Sequence, residues 1–321
     1  MAKIMIVGSG VVGQATGKGL IKKGHEVVFV DISVETVRRL SQEGFEARLP
    51  DELGDIAAEI SMFCVSTPPK GDGSVNLDYI TTAIANHGEW LKRKKRERED
   101  AWHLVVIRST VPPGTTRKVL LPLLEKYSGL MASKDFGVCM QPEFLRAKSS
   151  EEDFLHPWVM VIGEYDQCSG DTLERIYTDF GNKIFRVELE TAEFVKYVHN
   201  CFNATKISFS NEIWLLGRKL GLDANLALEI AVHTAEGHWN PAYGTVGGQP
   251  YGGSCLPKDT KGLEAFAKEN GISMPLLSAV ISVNSEMEEL AKQGVIPLAT
   301  IVGTKWQPSP VLTNNKEKER G

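Results

Sequence analysis

The sequence predicts an α/β chain: a mostly parallel sheet covered by helices, followed by an all-α region. Three observations carry this expectation. Short β-branched runs alternate with helical patterns over residues 1–190, a glycine-rich turn joins the first run to the first helical pattern, and from Thr191 the strand pattern gives way to long helical periods. Strands that alternate with helices pack as a parallel sheet with helices on both faces.

In chain order, the candidate strands are Lys3–Val7, Glu26–Val30, Ile60–Val65, Leu104–Arg108, Gly137–Met140 and Val159–Gly163. Helical patterns lie between them, among them Gly13–Lys23, Val34–Gln42 and Thr116–Lys126. The charge run within Trp90–Asp100 reads as a solvated helix end or loop. Thr191–Leu220 is one long helical pattern without proline, and Ala224–Thr234 is a second. Gly237–Pro257 is rich in Gly, Pro and aromatic residues, the texture of a functional loop. Helices are expected from Thr260 to Asn270 and from Pro275 to Lys292, and the last residues read as a polar, frayed tail.

At 321 residues the chain is long enough for about two domains. With 42% hydrophobic and 24% charged residues, it is neither a disordered nor a fibrous composition. A net charge of −5 gives no electrostatic reason to expect a nucleic-acid partner. No apolar stretch is long enough to span a bilayer, and the basic-then-apolar N-terminus reads as a buried first strand rather than a signal peptide. The cysteines, at 64, 139, 168, 201 and 255, are dispersed and odd in number, with no C-x-x-C pair. Neither a disulfide framework nor a metal site is expected, and a reduced, cytoplasmic protein is.

The first motif that carries chemistry is Gly8-Ser9-Gly10-Val11-Val12-Gly13, placed after an apolar strand and opening a helix. Gly8 suits the tight turn, Gly10 lets the backbone approach a pyrophosphate, and Gly13 lets the helix pack closely on the sheet. The helix N-terminus, at Val11 and Val12, offers free N–H groups to phosphates. Asp31 ends the next strand, where a carboxylate accepts hydrogen bonds from adenosine ribose hydroxyls. Together these predict a Rossmann-type domain that binds NAD.

Ser66-Thr67-Pro68-Pro69 and Ser109-Thr110-Val111-Pro112-Pro113 follow candidate strands at their carboxyl ends, where an open α/β sheet forms its ligand crevice. Each loop reads equally as a proline-stopped turn. In Gln141-Pro142-Glu143-Phe144-Leu145, Glu143 is placed to act as a general base or to stand as an exposed loop carboxylate. Lys196 and Asn200, four apart on one helix face, suit oxyanion stabilisation or ordinary surface positions. Gly252-Gly253-Ser254-Cys255-Leu256-Pro257-Lys258-Asp259 is the sharpest local signal. A helix start and the Lys258 cation both favour thiolate, so Cys255 reads as a nucleophile, whereas the other cysteines read as packing residues.

The fingerprint, Ser66-Thr67-Pro68-Pro69, Ser109-Thr110-Val111, Pro142-Glu143-Phe144-Leu145-Arg146, the Lys196/Asn200 helix and Gly252–Asp259 occur in an order that resembles the UDP-glucose/GDP-mannose 6-dehydrogenase family. The resemblance covers residues 3 to 290. It implies NAD-dependent oxidation of a nucleotide-sugar C6 alcohol to the carboxylate, with Cys255 as covalent nucleophile through a thiohemiacetal and a thioester. It further implies Lys196 with Asn200 as oxyanion stabilisers, Glu143 as base for thioester hydrolysis and Asp259 as an aid to proton transfer. Thr110 would lie near the nicotinamide, Thr67 and Lys258 would help hold the cofactor, and a homodimer would form through the central helix at Pro275–Lys292.

The implied organisation is an NAD-binding domain over 1–190, a helical central domain over 191–293 and a short tail over 294–321, with most of a C-terminal nucleotide-binding domain absent. Ala147 stands where the family pattern has a second glutamate, which predicts slower hydrolysis. A two-domain β-hydroxyacid dehydrogenase and a non-catalytic NAD-binding remnant are the other readings. Cys255 argues against the former, since simple alcohol oxidation needs no thiol.

Overall fold

The structure is a computed structural model that describes residues 1–54, 56–97, 102–146 and 148–296. Its residues divide between His199 and Asn200 into two compact units.

The first unit is built on an eight-stranded sheet. Its elements are β1 (Lys3–Val7), α1 (Val11–Lys22), β2 (Glu26–Val30), α2 (Val34–Gln42), β3 (Glu46–Arg48), β4 (Ile60–Phe63) and α3 (Asp78–Glu97). They continue as β5 (His103–Ile107), α4 (Leu121–Ser128), β6 (Phe136–Met140), α5 (Ser150–Leu155), β7 (Met160–Glu164), α6 (Gln167–Tyr177) and β8 (Ile184–Glu188). The strand order is β3-β2-β1-β4-β5-β6-β7-β8. Pairs from β3 through β6 are parallel, β6 and β7 are antiparallel, and β7 and β8 are parallel to each other.

Central strands β4, β5 and β6 are buried at every position and mostly apolar because helices cover both faces. In β1, Met5 joins one core with Phe63, Ile84, Trp90 and Leu124, while Ile4 and Ile6 join the opposite core with Leu20, Phe29, Met62 and Phe154. Gly17 lets α1 sit against the sheet, since a Cβ there would lie 2.4 Å from the Phe29 ring. Short polar side chains mark the helix starts: Ser33 Oγ accepts from Thr36 N at α2, and Asp166 accepts from Ser169 N at α6.

Several boundaries differ from the sequence reading, each for a physical reason. The first helix opens at Val11, because its first turn directly continues the fingerprint turn. β3 and β8 are edge strands with half-exposed, mixed residues, which carry little of the apolar pattern that marks a strand. The reversal at β7 leaves no mark in composition. The charge run closes α3, with Lys94, Lys95 and Arg96 in the last turn where cations meet the negative end of the helix dipole. Its last residues, 98–100, lie outside the described residues, as does Ala147. Thr116–Leu120 is a π-helical turn that leads into α4.

A long helix, α7 (Leu189–Leu220), has its residues to His199 in the first unit and those from Asn200 in the second. The second unit continues with α8 (Ala224–Thr234), α9 (Glu236–Trp239), α10 (Leu256–Glu269) and α11 (Pro275–Lys292). Its core is small: Leu216, Ala267, Met274 and Leu277 are buried, with Ile213, Leu263 and Ile281 packed around them. Buried Glu212 on α7 accepts from Leu276 N at 2.5 Å and Leu277 N at 3.1 Å, which caps the start of α11. The α10 helix begins four residues before the expected Thr260, because Pro257 in a first turn loses no helical hydrogen bond.

Candidate active site

In the first unit a crevice of about 710 Å³ opens at the carboxyl ends of β1, β2, β4 and β5, lined by Gly8, Gly10, Val11, Val12, Asp31, Thr67, Thr110 and Glu143. The fingerprint glycines divide the work. Gly8 has φ +89°, and a Cβ on it would stand 2.8 Å from the Cys64 carbonyl oxygen. A Cβ on Gly13 would stand 2.0 Å from the Gly8 carbonyl oxygen, so Gly13 serves the approach of α1 to the turn and lies behind the crevice. A Cβ on Gly10 would meet no protein atom within 4 Å, which leaves the turn open for a ligand. No side chain caps the start of α1, so its N–H groups face the crevice uncapped. Asp31 is held in place by Ser9 N at 2.7 Å and Ser33 N at 2.9 Å.

The two strand-end loops are stitched together. Thr67 Oγ1 donates to the Thr110 carbonyl at 2.7 Å, and Ser109 Oγ donates to the Val65 carbonyl at 2.7 Å. Thr67 and Thr110 thus share one wall. Below them, Glu193 on α7 accepts from Gly114 N and from Thr116 N, the latter at 2.7 Å, and its burial pushes the carboxyl upward. Sequence reasoning missed Glu193, though an acid three residues before Lys196 on an apolar helix face was the available signal.

One turn along α7, Lys196 is buried. Its Nζ donates to Glu143 Oε1 at 2.7 Å and to the Glu143 carbonyl at 2.5 Å. With side chains only 8% and 12% exposed, Lys196 and Glu143 are neither a surface lysine nor a solvated loop carboxylate. Glu143 Oε2 accepts from Leu145 N at 2.7 Å, which fixes the loop around it. Arg108, also overlooked, is buried at the crevice wall and donates to Gln141, whose Oε1 accepts from Tyr177 Oη at 2.8 Å. Burial pushes the neighbouring Cys64 thiol up to about 11, a neutral packing residue as expected.

In the second unit Cys255 is the residue before the first turn of α10, and its thiol is exposed. Ser254 Oγ lies 3.7 Å from Sγ, and Gly253 turns the chain with φ +78°. Lys258 and Asp259 project from the same first turn and pair at 2.5 Å, which raises the ammonium above its ordinary value. Asn200 is exposed on α7. Cys168 and Cys201 are exposed rather than packed. The predicted residues thus form two groups in separate units: the fingerprint, Asp31, Thr67, Thr110, Glu143 and Lys196 in the first, and Asn200, Cys255, Lys258 and Asp259 in the second.

Two family models match the chain: the NAD binding domain of the UDP-glucose/GDP-mannose dehydrogenase family over residues 54–181, and the central domain of the same family over residues 190–286. The chain belongs to this family. The chain is 36% identical over 310 residues to the GDP-mannose 6-dehydrogenase of Azotobacter vinelandii, covering 90% of this chain and 70% of that protein. It is 34% identical over 314 residues to the enzyme of the same name from Pseudomonas putida, covering 90% and 69%. Among solved structures it is similar to a ternary complex of GDP-mannose dehydrogenase from Pseudomonas aeruginosa, with a TM-score of 0.82, 33% identity, and coverage of 91% of this chain and 70% of that one. The chain therefore carries the NAD binding domain of this family, and the turn at Gly10 is open to a ligand. Among the described residues no helix is long and apolar enough to cross a membrane.

Proposed function

We propose that the chain oxidises the C6 alcohol of a nucleotide sugar, GDP-mannose or its UDP-glucose counterpart, to the carboxylate, with Cys255 as the covalent nucleophile. The observation that carries this reading is the exposed Cys255 thiol at the N-terminus of α10, in a chain with an NAD-binding domain. Gly8, Gly10, Val11 and Val12 receive the pyrophosphate, and Asp31 receives the adenosine ribose. NAD would supply the hydride acceptor, one molecule for each of the two successive oxidations.

After the first oxidation the Cys255 sulfur adds to the aldehyde carbon and forms a C–S bond, the thiohemiacetal. Loss of the second hydride from carbon, and of the hydroxyl proton to solvent, leaves a thioester. Water, relieved of a proton by Glu143, attacks the thioester carbonyl, and the C–S bond breaks to release the acid and the thiolate. Lys196 and Asn200 donate to the oxyanions that develop at this carbon. The Lys196–Glu143 ion pair gives the base a buried cation beside it, and the loop bond from Leu145 N holds the carboxylate in a fixed orientation. Asp259 assists proton transfer, and Lys258 contributes to the cofactor side.

The chain works in the cytoplasm as a homodimer through its central helices. The apolar residues Phe202, Ile207, Val280 and Val283, exposed on α7 and α11, supply a surface for a second copy. NADH formation with GDP-mannose and UDP-glucose tests the chemistry. The reading expects two NADH per sugar, no turnover in Cys255→Ser, and a thioester adduct on Cys255 in Glu143→Gln, seen by mass spectrometry. One NADH per substrate, unaffected by Cys255→Ser, would place the chain among simple alcohol dehydrogenases. NAD binding without turnover on any nucleotide sugar would mark a non-catalytic remnant.

A further inference from the structure

The segment before the thiol is rich in glycine. Gly244, Gly247, Gly248, Gly252 and Gly253 fall between Tyr243 and Ser254, and Gly244, Gly248 and Gly253 have φ of +67°, +85° and +78°. Such a stretch loses much chain entropy when it is ordered. Among the described residues, one main-chain group within 244–254 is tethered to another element: Tyr251 N donates to Asn284 Oδ1 on α11 at 2.6 Å. Tyr251 stands four residues before Cys255.

Asn284 is well placed for the task. It is 7% exposed, so its amide must be satisfied inside the protein. Its Nδ2 donates to Glu288 Oε1 at 3.0 Å, which turns the carbonyl toward Tyr251. The helix that carries it is itself fixed by the Glu212 cap at Leu276 and Leu277. Tyr251 then reaches the other way, with Oη 3.5 Å from Thr260 Oγ1 on α10. A line of hydrogen bonds therefore runs from α11 through Tyr251 to the helix that Cys255 begins.

We infer that Asn284 is a positioning residue for Cys255, holding the glycine-rich segment so that the sulfur stays at the N-terminus of α10. The inference rests on the nucleophile reading of Cys255 for its catalytic consequence, but the tether itself does not.

The test uses the full chain with Asn284→Leu, which keeps the side-chain size and removes the acceptor. A second variant combines Asn284→Asp with Glu288→Gln, which keeps an acceptor for Tyr251 N and reverses the neighbouring donor. In Asn284→Leu, hydrogen exchange at the Tyr251 amide is expected to speed up by about ten-fold or more. Carbamidomethylation of Cys255 at fixed pH is expected to slow about three-fold as the sulfur leaves the helix start. With NAD and GDP-mannose, kcat is expected to fall on the order of ten-fold, with the NAD dissociation constant unchanged. The double variant is expected to restore all three.

Parent-like protection of Tyr251 in Asn284→Leu would overturn the tether. Lost protection with unchanged alkylation and unchanged kcat would overturn the positioning role. Retained turnover in Cys255→Ser would bring down the nucleophile reading alone, since the exchange and alkylation measurements judge Asn284 without it.

Discussion

Acid should weaken the first unit through two buried histidines, one on α3 and one on β5. His87 stacks on Trp90 with ring centres 4.9 Å apart and meets Phe63 edge-on at 5.1 Å. His103 lies 5.4 Å from His87, with Nδ1 3.1 Å from the Ala58 carbonyl and Nε2 2.9 Å from Ser61 Oγ. Both rings are buried, and burial drives both toward the neutral form: His87 falls to about 3, and His103 falls well below its ordinary value, with the neighbouring His87 and Lys94 charges acting in the same direction. The folded state then binds fewer protons than the unfolded chain, so stability falls as pH drops below about 6.5 and the loss for His87 levels near 3. At pH 5, about 1.5 units below the ordinary histidine value, the unfolded His87 is almost fully charged, which at about 1.36 kcal/mol per unit costs the folded state ~2 kcal/mol. His87→Phe keeps a ring against Trp90 and Phe63 and removes that proton site. Hydrogen exchange of the β1, β4 and β5 amides gives the opening free energy of this unit at each pH. The parent should lose ~2 kcal/mol more than His87→Phe between pH 7.5 and pH 5. Parallel curves for the two proteins would refute the claim that His87 is held neutral.

Three substitutions separate the parts of the fingerprint crevice and of the turn that supports it. Gly13→Ala puts a methyl 2.0 Å from the Gly8 carbonyl, where only backbone can yield, and should cost about 3 kcal/mol of stability in a denaturant titration without ligand. Gly10→Ala meets no protein atom and should change stability by less than about 0.5 kcal/mol, yet weaken NAD by about ten-fold in a fluorescence titration. Glu193→Ala strips the acceptor from Gly114 N and Thr116 N and should lower stability by about 2 kcal/mol, seen as a reduced Tm.

The sequence made strands legible where helices cover both faces, and helices where the helical pattern starts at a capping residue or a proline. β1, β2, α2, α8 and α11 carry the bounds expected from pattern alone, because apolar runs and capping residues mark them directly. β3 and β8 lacked that mark, since an edge strand is wetted on one side and needs no continuous apolar run. The fingerprint was legible through its spacing: Gly8 and Gly13 each answer a steric demand that a larger residue would fail, and Gly10 keeps the turn open. Glu193, Arg108 and Asn284 were not. Each is a polar side chain whose worth lies in a partner far along the chain: 77 residues for Glu193 and Thr116, 33 for Arg108 and Gln141, and 33 for Asn284 and Tyr251. Periodicity reports what a residue's neighbours in sequence do, and these contacts are decided by the fold.

The first turns of α7 show why such residues sit where they do. A loop at the end of a strand must stay open to a ligand, so few of its main-chain groups pair with the sheet, yet the residues on it have to keep a fixed position. Here the rigid element is the helix. Glu193 takes the two N–H groups of the Gly114–Thr116 turn, and Lys196, three residues on and so on the same face, takes the carbonyl and carboxylate of Glu143. Opposite charges suit the two tasks, since the turn presents donors and the Glu143 loop presents acceptors. Both side chains are buried, which makes each contact costly to leave unmade and so pins each loop to one arrangement. The Thr110 loop and the Glu143 loop are therefore both anchored to one helix, in addition to the Arg108–Gln141 bond that joins their stems. The crevice between them keeps its shape without closing.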